Sequence, residues 1–137
     1  MVEEIKHNEE LYAIIVRNNY NQDGISFFTK NENSQQLAFM KHPKGRIIVP
    51  HLHNSVERIV YYTQEVLVIK KGVLKVDFYD TKTAYLFSRI LNSGDVILLA
   101  SGGHGFEIIE DLEMFEIKQG PYVGEQDKTR FENLKKL

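Results

Sequence analysis

Turn-forming clusters cut the apolar stretches of this chain at nearly regular intervals, and that spacing limits the fold more than any other feature. Residues 11–17 (LYAIIVR), 25–29 (ISFFT) and 36–41 (QLAFMK) are short, apolar or alternating, and rich in β-branched and aromatic residues. RNNYNQDG and KNENSQ separate them, supplying the Asn, Asp, Gly and Ser that favour turns. Further runs follow at 46–53, 64–70, 73–79, 84–91, 95–100, 105–109 and 112–118, broken by KKG, YDTKT, LNSG and ASGG. Short strands at a spacing of ~8–12 residues predict an all-β sandwich or barrel rather than βαβ units.

A helical period emerges only in the tail. From Gly124 the sequence reads GEQDKTRFENLKKL, with Phe131, Leu134 and Leu137 three apart and Asp127 as a candidate N-cap. This predicts a short C-terminal helix laying one apolar stripe on the barrel or on a neighbouring subunit. At 137 residues the chain reads as one domain, residues 1–137. Its parts are N-terminal strands (1–35), a barrel core (36–119) and a tail (120–137). The edge strand expected at 11–17 would leave backbone groups unpaired, which predicts a homodimer.

Composition excludes several classes of function. A net charge of −2, with lysines and arginines dispersed, lacks the basic footprint of a nucleic-acid binder. No apolar run nears the ~20 residues needed to span a bilayer. The polar, acidic start MVEEIKHNEE is unlike a secretory signal, and the absence of cysteine removes disulfides and thiolate metal sites. These features point to a cytoplasmic protein with a small-molecule ligand.

The chemistry concentrates in GRIIVPHLHNSVERIVYYTQEVLVIKKG, residues 45–72. On an extended strand residues two apart share a face, so His51 and His53 would project together, in line with Ile47 and Val49. Two imidazoles at the end of an inward apolar row read as half of a metal site at a cavity mouth. His104 arrives downstream, after the Gly102-Gly103 bend, as a third imidazole. The carboxylate is Glu65 or Glu57. Glu65 is favoured because it opens an apolar strand in phase with Leu67 and Ile69, where an unpaired charge is costly and a cation would offset that cost. Its alternative is a rim position paired with Arg58. His7 and His42 read as packed or surface residues, and Phe27 with Phe28 as core. Arg58, Tyr61 and Tyr62 are the candidate catalytic or substrate-contacting residues, with barrel-edge packing as their alternative.

The stretch from Gly45 to Gly72 resembles the first motif of the cupin superfamily: glycine, five residues, His-x-His, a glutamate, six residues, glycine. The gap between His53 and Glu65 is longer here than in the family, and Glu57 meets the usual His–Glu spacing without the downstream glycine. Gly94 to Phe106 resembles the second motif, with Ala100 in place of the proline, Gly102 kept, His104 one residue early and Ile108 where an asparagine often stands. The resemblance implies a double-stranded β-helix, the cupin or jelly-roll barrel. It further implies a divalent transition metal (Fe, Mn, Ni or Zn) held by His51, His53, Glu65 and His104, with positions left open for a small polar substrate. The tail TRFENLKKL also resembles that of keto-sugar isomerases on related barrels. This supports a metal-independent alternative in which His and Tyr act as general base and acid on a sugar nucleotide. A non-catalytic binding or sensing module is the third expectation.

Overall fold

Residues that alternate apolar and polar, or run apolar where both faces are covered, make nearly all of the regular structure β. The computed structural model describes residues 1–132. Its strands are β1 (Val2–His7), β2 (Glu10–Val16), β3 (Gly24–Phe27), β4 (Ala38–Lys41), β5 (Glu65–Tyr79), β6 (Tyr85–Leu91), β7 (Val96–Leu99) and β8 (Gly103–Lys118). Six of them form one antiparallel sheet in the order β1-β2-β7-β5-β6, with β8 also paired to β5; β3 and β4 pair separately. β7 and β6 share one edge of β5 in succession, at residues 65–68 and 74–79, while β8 follows the other edge along its length. The sheet curls strongly into a half-barrel.

The curl originates at Gly72. Its φ is +94°, and the β5–β8 register shifts repeatedly between Ile69 and Leu74. An inserted residue inverts the alternation of a strand. Before the bend the odd residues Leu67 and Ile69 enter the main core; after it the even residues Leu74, Val76 and Phe78 do so. They meet Ala13, Ile15, Leu91, Ile97 and Leu99. On the opposite face Ile14, Val16, Val66 and Leu98 make a second cluster, capped by Tyr20, Phe28 and Leu37. Tyr20 meets Phe28 and Phe39 edge to face, at ring-centre distances of 5.0 and 5.1 Å.

Several expectations are corrected. The acidic start forms β1, so residues 11–17 lie between β1 and β7 and are no edge. The predicted strand pairs 64–70 with 73–79, and 105–109 with 112–118, are each one continuous, bent strand, because the intervening glycine and turn residues are absorbed as bulges. The predicted strand at 46–53 does not form: residues 46–64 contain neither helix nor strand. Among the described residues, the backbone of 47–62 bonds to no other backbone group, so no partner strand fixes an extended ladder there. Phe28 is packed as expected, but Phe27 faces solvent. In the tail a single 3₁₀ turn spans Gly124–Asp127 and residues 128–132 are not helical. Asp127 ends that turn instead of capping it; Leu134 and Leu137 lie outside the described residues.

Candidate functional site

The ends of the β5–β8 ribbon meet at a polar pair. Glu65 begins β5, whereas His104 stands opposite Phe78 near the other end of that strand. On a straight strand residues 65 and 78 would lie roughly 43 Å apart. The curl instead brings Glu65 Oε2 to 3.8 Å from His104 Nε2.

Each partner is placed by local sequence. Glu65 follows the parity of Leu67 and Ile69, so its carboxylate turns toward the concave side, and only 13% of the side chain is exposed. His104 is delivered by the bend joining β7 to β8. Gly102 there has φ +72°, and a Cβ on it would lie 2.4 Å from the Tyr12 ring. Ala100 N donates to Tyr12 O at 2.8 Å and Ser101 Oγ to Leu11 O at 2.7 Å, tying the bend to β2. The His104 imidazole stacks on Phe106, with ring centres 5.4 Å apart.

Burial is the main cause of both protonation shifts. It raises the Glu65 carboxyl above the usual range, reinforced by the neighbouring Glu116 carboxylate, with Lys118 and Lys128 acting weakly in the opposite sense. Burial lowers His104 below an ordinary imidazole, with Glu116 partly opposing and Lys128 adding to the depression. Both side chains are thus biased toward their neutral forms. A neutral imidazole accepts a proton, and a carboxyl of raised pKa donates one at milder pH than an exposed acid.

The pair opens into a cavity of about 700 Å³, whose walls include Tyr62, Tyr79, Lys128 and Arg130. The C-terminal segment forms one wall. Thr63 Oγ1 donates a hydrogen bond to Asp127, and Phe131 packs edge to face on Tyr79 with ring centres 5.0 Å apart. Asp77, almost wholly buried, accepts from Ser88 at the cavity margin.

The four expected metal ligands separate into two pairs. His51 and His53 do stand together, 5.2 Å between ring centres, but on the exposed segment 46–64 and not at the end of an inward row. The His51 Nδ1 bonds locally with Val49 O at 2.9 Å. Neither lines the cavity that holds Glu65 and His104. Among the described residues no three His, Asp or Glu side chains are grouped so as to hold a metal ion. Glu57 and Arg58 are exposed and pair with neither half; Glu65 faces His104 rather than Arg58. Of the tyrosines, Tyr62 reaches this cavity and Tyr61 a smaller neighbouring one.

Sequence reasoning missed Glu116, Tyr79, Lys128 and Arg130. Glu116 had a signal, because Met114, Glu116 and Lys118 alternate in phase and Met114 packs on the main core. The tail cations had none, since only the return of the tail across the ribbon ends puts them near the pair. No protein-family model, curated protein or solved structure matches the chain.

Proposed function

We propose that this chain binds a small polar molecule in the cavity beside the ribbon ends and moves a proton on it, with Glu65 and His104 as the transferring pair. The observation that carries this reading is the 3.8 Å approach of two side chains that burial holds toward their neutral forms. A neutral His104 serves as the base and a protonated Glu65 as the acid, with Glu116 beside Glu65 helping to keep that carboxyl protonated. Lys128, among the cavity walls, suits an anionic substituent such as a phosphate, whereas Arg130 beside it is paired with Glu125. A keto sugar carried on a nucleotide combines that anion with an acidic C–H, and isomerisation by proton removal and return needs no further reactant. In this reading the half-barrel is a small cupin of the double-stranded β-helix type, working in the cytoplasm.

The test is proton NMR of dTDP-4-keto-6-deoxyglucose with the protein in D₂O. Deuterium entering the carbon next to the ketone, or a shifted ketone, is the expected result, reduced ~100-fold or more in Glu65→Gln and His104→Gln. No exchange in this or related keto sugars, despite saturable binding, would instead assign the chain to binding or sensing.

A second reading keeps the metal, and the His51–His53 spacing of 5.2 Å is what favours it. Those rings would need to come to the Glu65–His104 pair to complete a site for Fe, Mn, Ni or Zn. Elemental analysis of the purified protein and of a His51→Ala, His53→Ala variant decides it. Equal and sub-stoichiometric metal in both removes the metal from consideration.

A further inference from the structure

Residues 43–62 form an arm: among the described residues, the backbone of 47–62 has no partner strand, and only its C-terminal end, from Ile59, lines pockets against the rest of the chain. Nine large apolar side chains between Ile47 and Tyr62 are exposed, among them Leu52 at 91% and Tyr61 at 86%. Single exposed apolar residues are ordinary, but a contiguous apolar segment without secondary structure marks an interaction surface. The same chain carries a complementary edge. Among the described residues β8, 16 residues long, pairs with β5 alone, so alternate residues, about half of them, turn unpaired N–H and C=O groups to its outer side. That strand also exposes Phe106, Ile108, Ile109, Phe115 and Ile117. A long apolar edge of this kind is a template for strand addition.

We infer that the arm adds as a strand to the outer edge of β8 in a second copy of this chain, and that two copies exchange arms reciprocally. Charge selects this edge. The arm carries Lys44, Arg46 and Arg58 against one anion, Glu57, whereas β8 carries five acidic residues against one cation, Lys118. Two of those acids have partners on β5, Lys75 with Glu107 at 2.6 Å and Lys70 with Glu113 at 3.9 Å, and the strand stays acidic overall. The other edges suit the arm less: β6 has no acidic residue to meet its cations, and β1 is mostly polar.

Anchoring directs the arm away from its own β8. Gln64 O accepts from Gln119 N at 3.0 Å just beyond the end of that strand, Thr63 is tied to Asp127, and Tyr62 lines the cavity. The residues that would have to reverse the chain onto its own β8 are therefore engaged. At on the order of 100 Å² apiece, the eight side chains from Ile47 to Tyr61 offer roughly 800 Å² per copy, the scale of the ~800 Å² per partner in a stable interface. Reciprocal exchange about a two-fold axis closes the assembly at two copies.

The chain has no cysteine, so single-cysteine variants report contacts cleanly. Ile48→Cys and Ile117→Cys chains, mixed and oxidised, are expected to give a disulfide-linked dimer, and light scattering of the unmodified full chain a dimer mass. Ile48→Asp and Leu52→Asp are expected to weaken dimerisation at least tenfold while leaving circular dichroism and melting temperature of the monomer unchanged, because both positions are exposed. A monomer at all concentrations overturns the proposal. So does a dimer indifferent to both aspartates, or cross-linking confined to a single chain carrying both cysteines.

Discussion

A Cβ placed on Gly72 would lie 2.0 Å from the carbonyl oxygen of Asp111, on the neighbouring strand of the ribbon. The bend at this point reverses the parity of β5 and returns its far end toward its start. The meeting of Glu65 with His104 therefore depends on a residue in contact with neither. Gly72→Ala adds a backbone clash to an unfavourable positive φ, and is expected to cost at least ~3 kcal/mol or to abolish folding. Gly45→Ala is the control: its φ is +90°, but nothing lies within 4 Å of the added carbon. It should lose only about 1–2 kcal/mol. Urea unfolding of the two variants measures the difference, and equal losses would show that the Asp111 contact is unimportant.

Protonation of His104 should be visible in the pH dependence of stability. Its folded pKa lies below the unfolded value of about 6.5, so the unfolded state binds more protons between the two. Its contribution is complete above pH ~6.5 and is lost as pH falls toward the folded pKa. Glu65 acts oppositely: its folded pKa is raised, so stability declines as pH rises from about 4.3 through the folded value. His104→Gln should flatten the first slope and Glu65→Gln the second. Denaturant midpoints measured from pH 4 to pH 8 check both; slopes unchanged in the variants would contradict the burial argument.

Asp95 joins the curled sheet to the turn after β2. It is 3% exposed and accepts from Asn18 N and Asn92 N, each at 2.8 Å, and from Arg17 Nη1 at 3.1 Å. Asp95→Ala leaves two backbone donors without their acceptor and removes the carboxylate from the Arg17 guanidinium, which keeps Ile90 O at 2.6 Å, and is expected to cost about 2–4 kcal/mol. Thermal unfolding against the unmodified chain gives the value, and a loss below ~1 kcal/mol would mean that water replaces the carboxylate.

Phe131 holds the tail against the site through Tyr79 and Gly103, approaching a Cβ built on the latter to 3.1 Å. Phe131 is partly exposed, so Phe131→Ala should cost about 1–2 kcal/mol, less than a core phenylalanine. It should also free the tail. Faster proteolysis at Lys128 and Arg130, with hydrogen exchange in the main sheet unaltered, is the expected result. Unchanged cleavage would show that Thr63 and Asp127 retain the tail by themselves.

Local chemistry made much of this architecture legible. Alternation and turn residues located seven of the strands approximately, and the Glu65 side chain, in phase with the core residues Leu67 and Ile69, is mostly buried. The Gly102 bend before His104 was readable for the same reason, since a glycine among turn formers signals a backbone that other residues cannot follow. β1 was hidden by its charges, which suit an edge strand as well as a polar terminus.

Sequence by itself determined the β character and most of the turn positions, because each depends on residues near one another in the chain. Tertiary structure alone decided which strands adjoin, which way the ribbon bends, and that His51 and His53 stand apart from Glu65 and His104. Those outcomes rest on pairing between distant segments. A period-two pattern is the same whichever partner a strand finds, and it says nothing of whether a partner exists for residues 46–53.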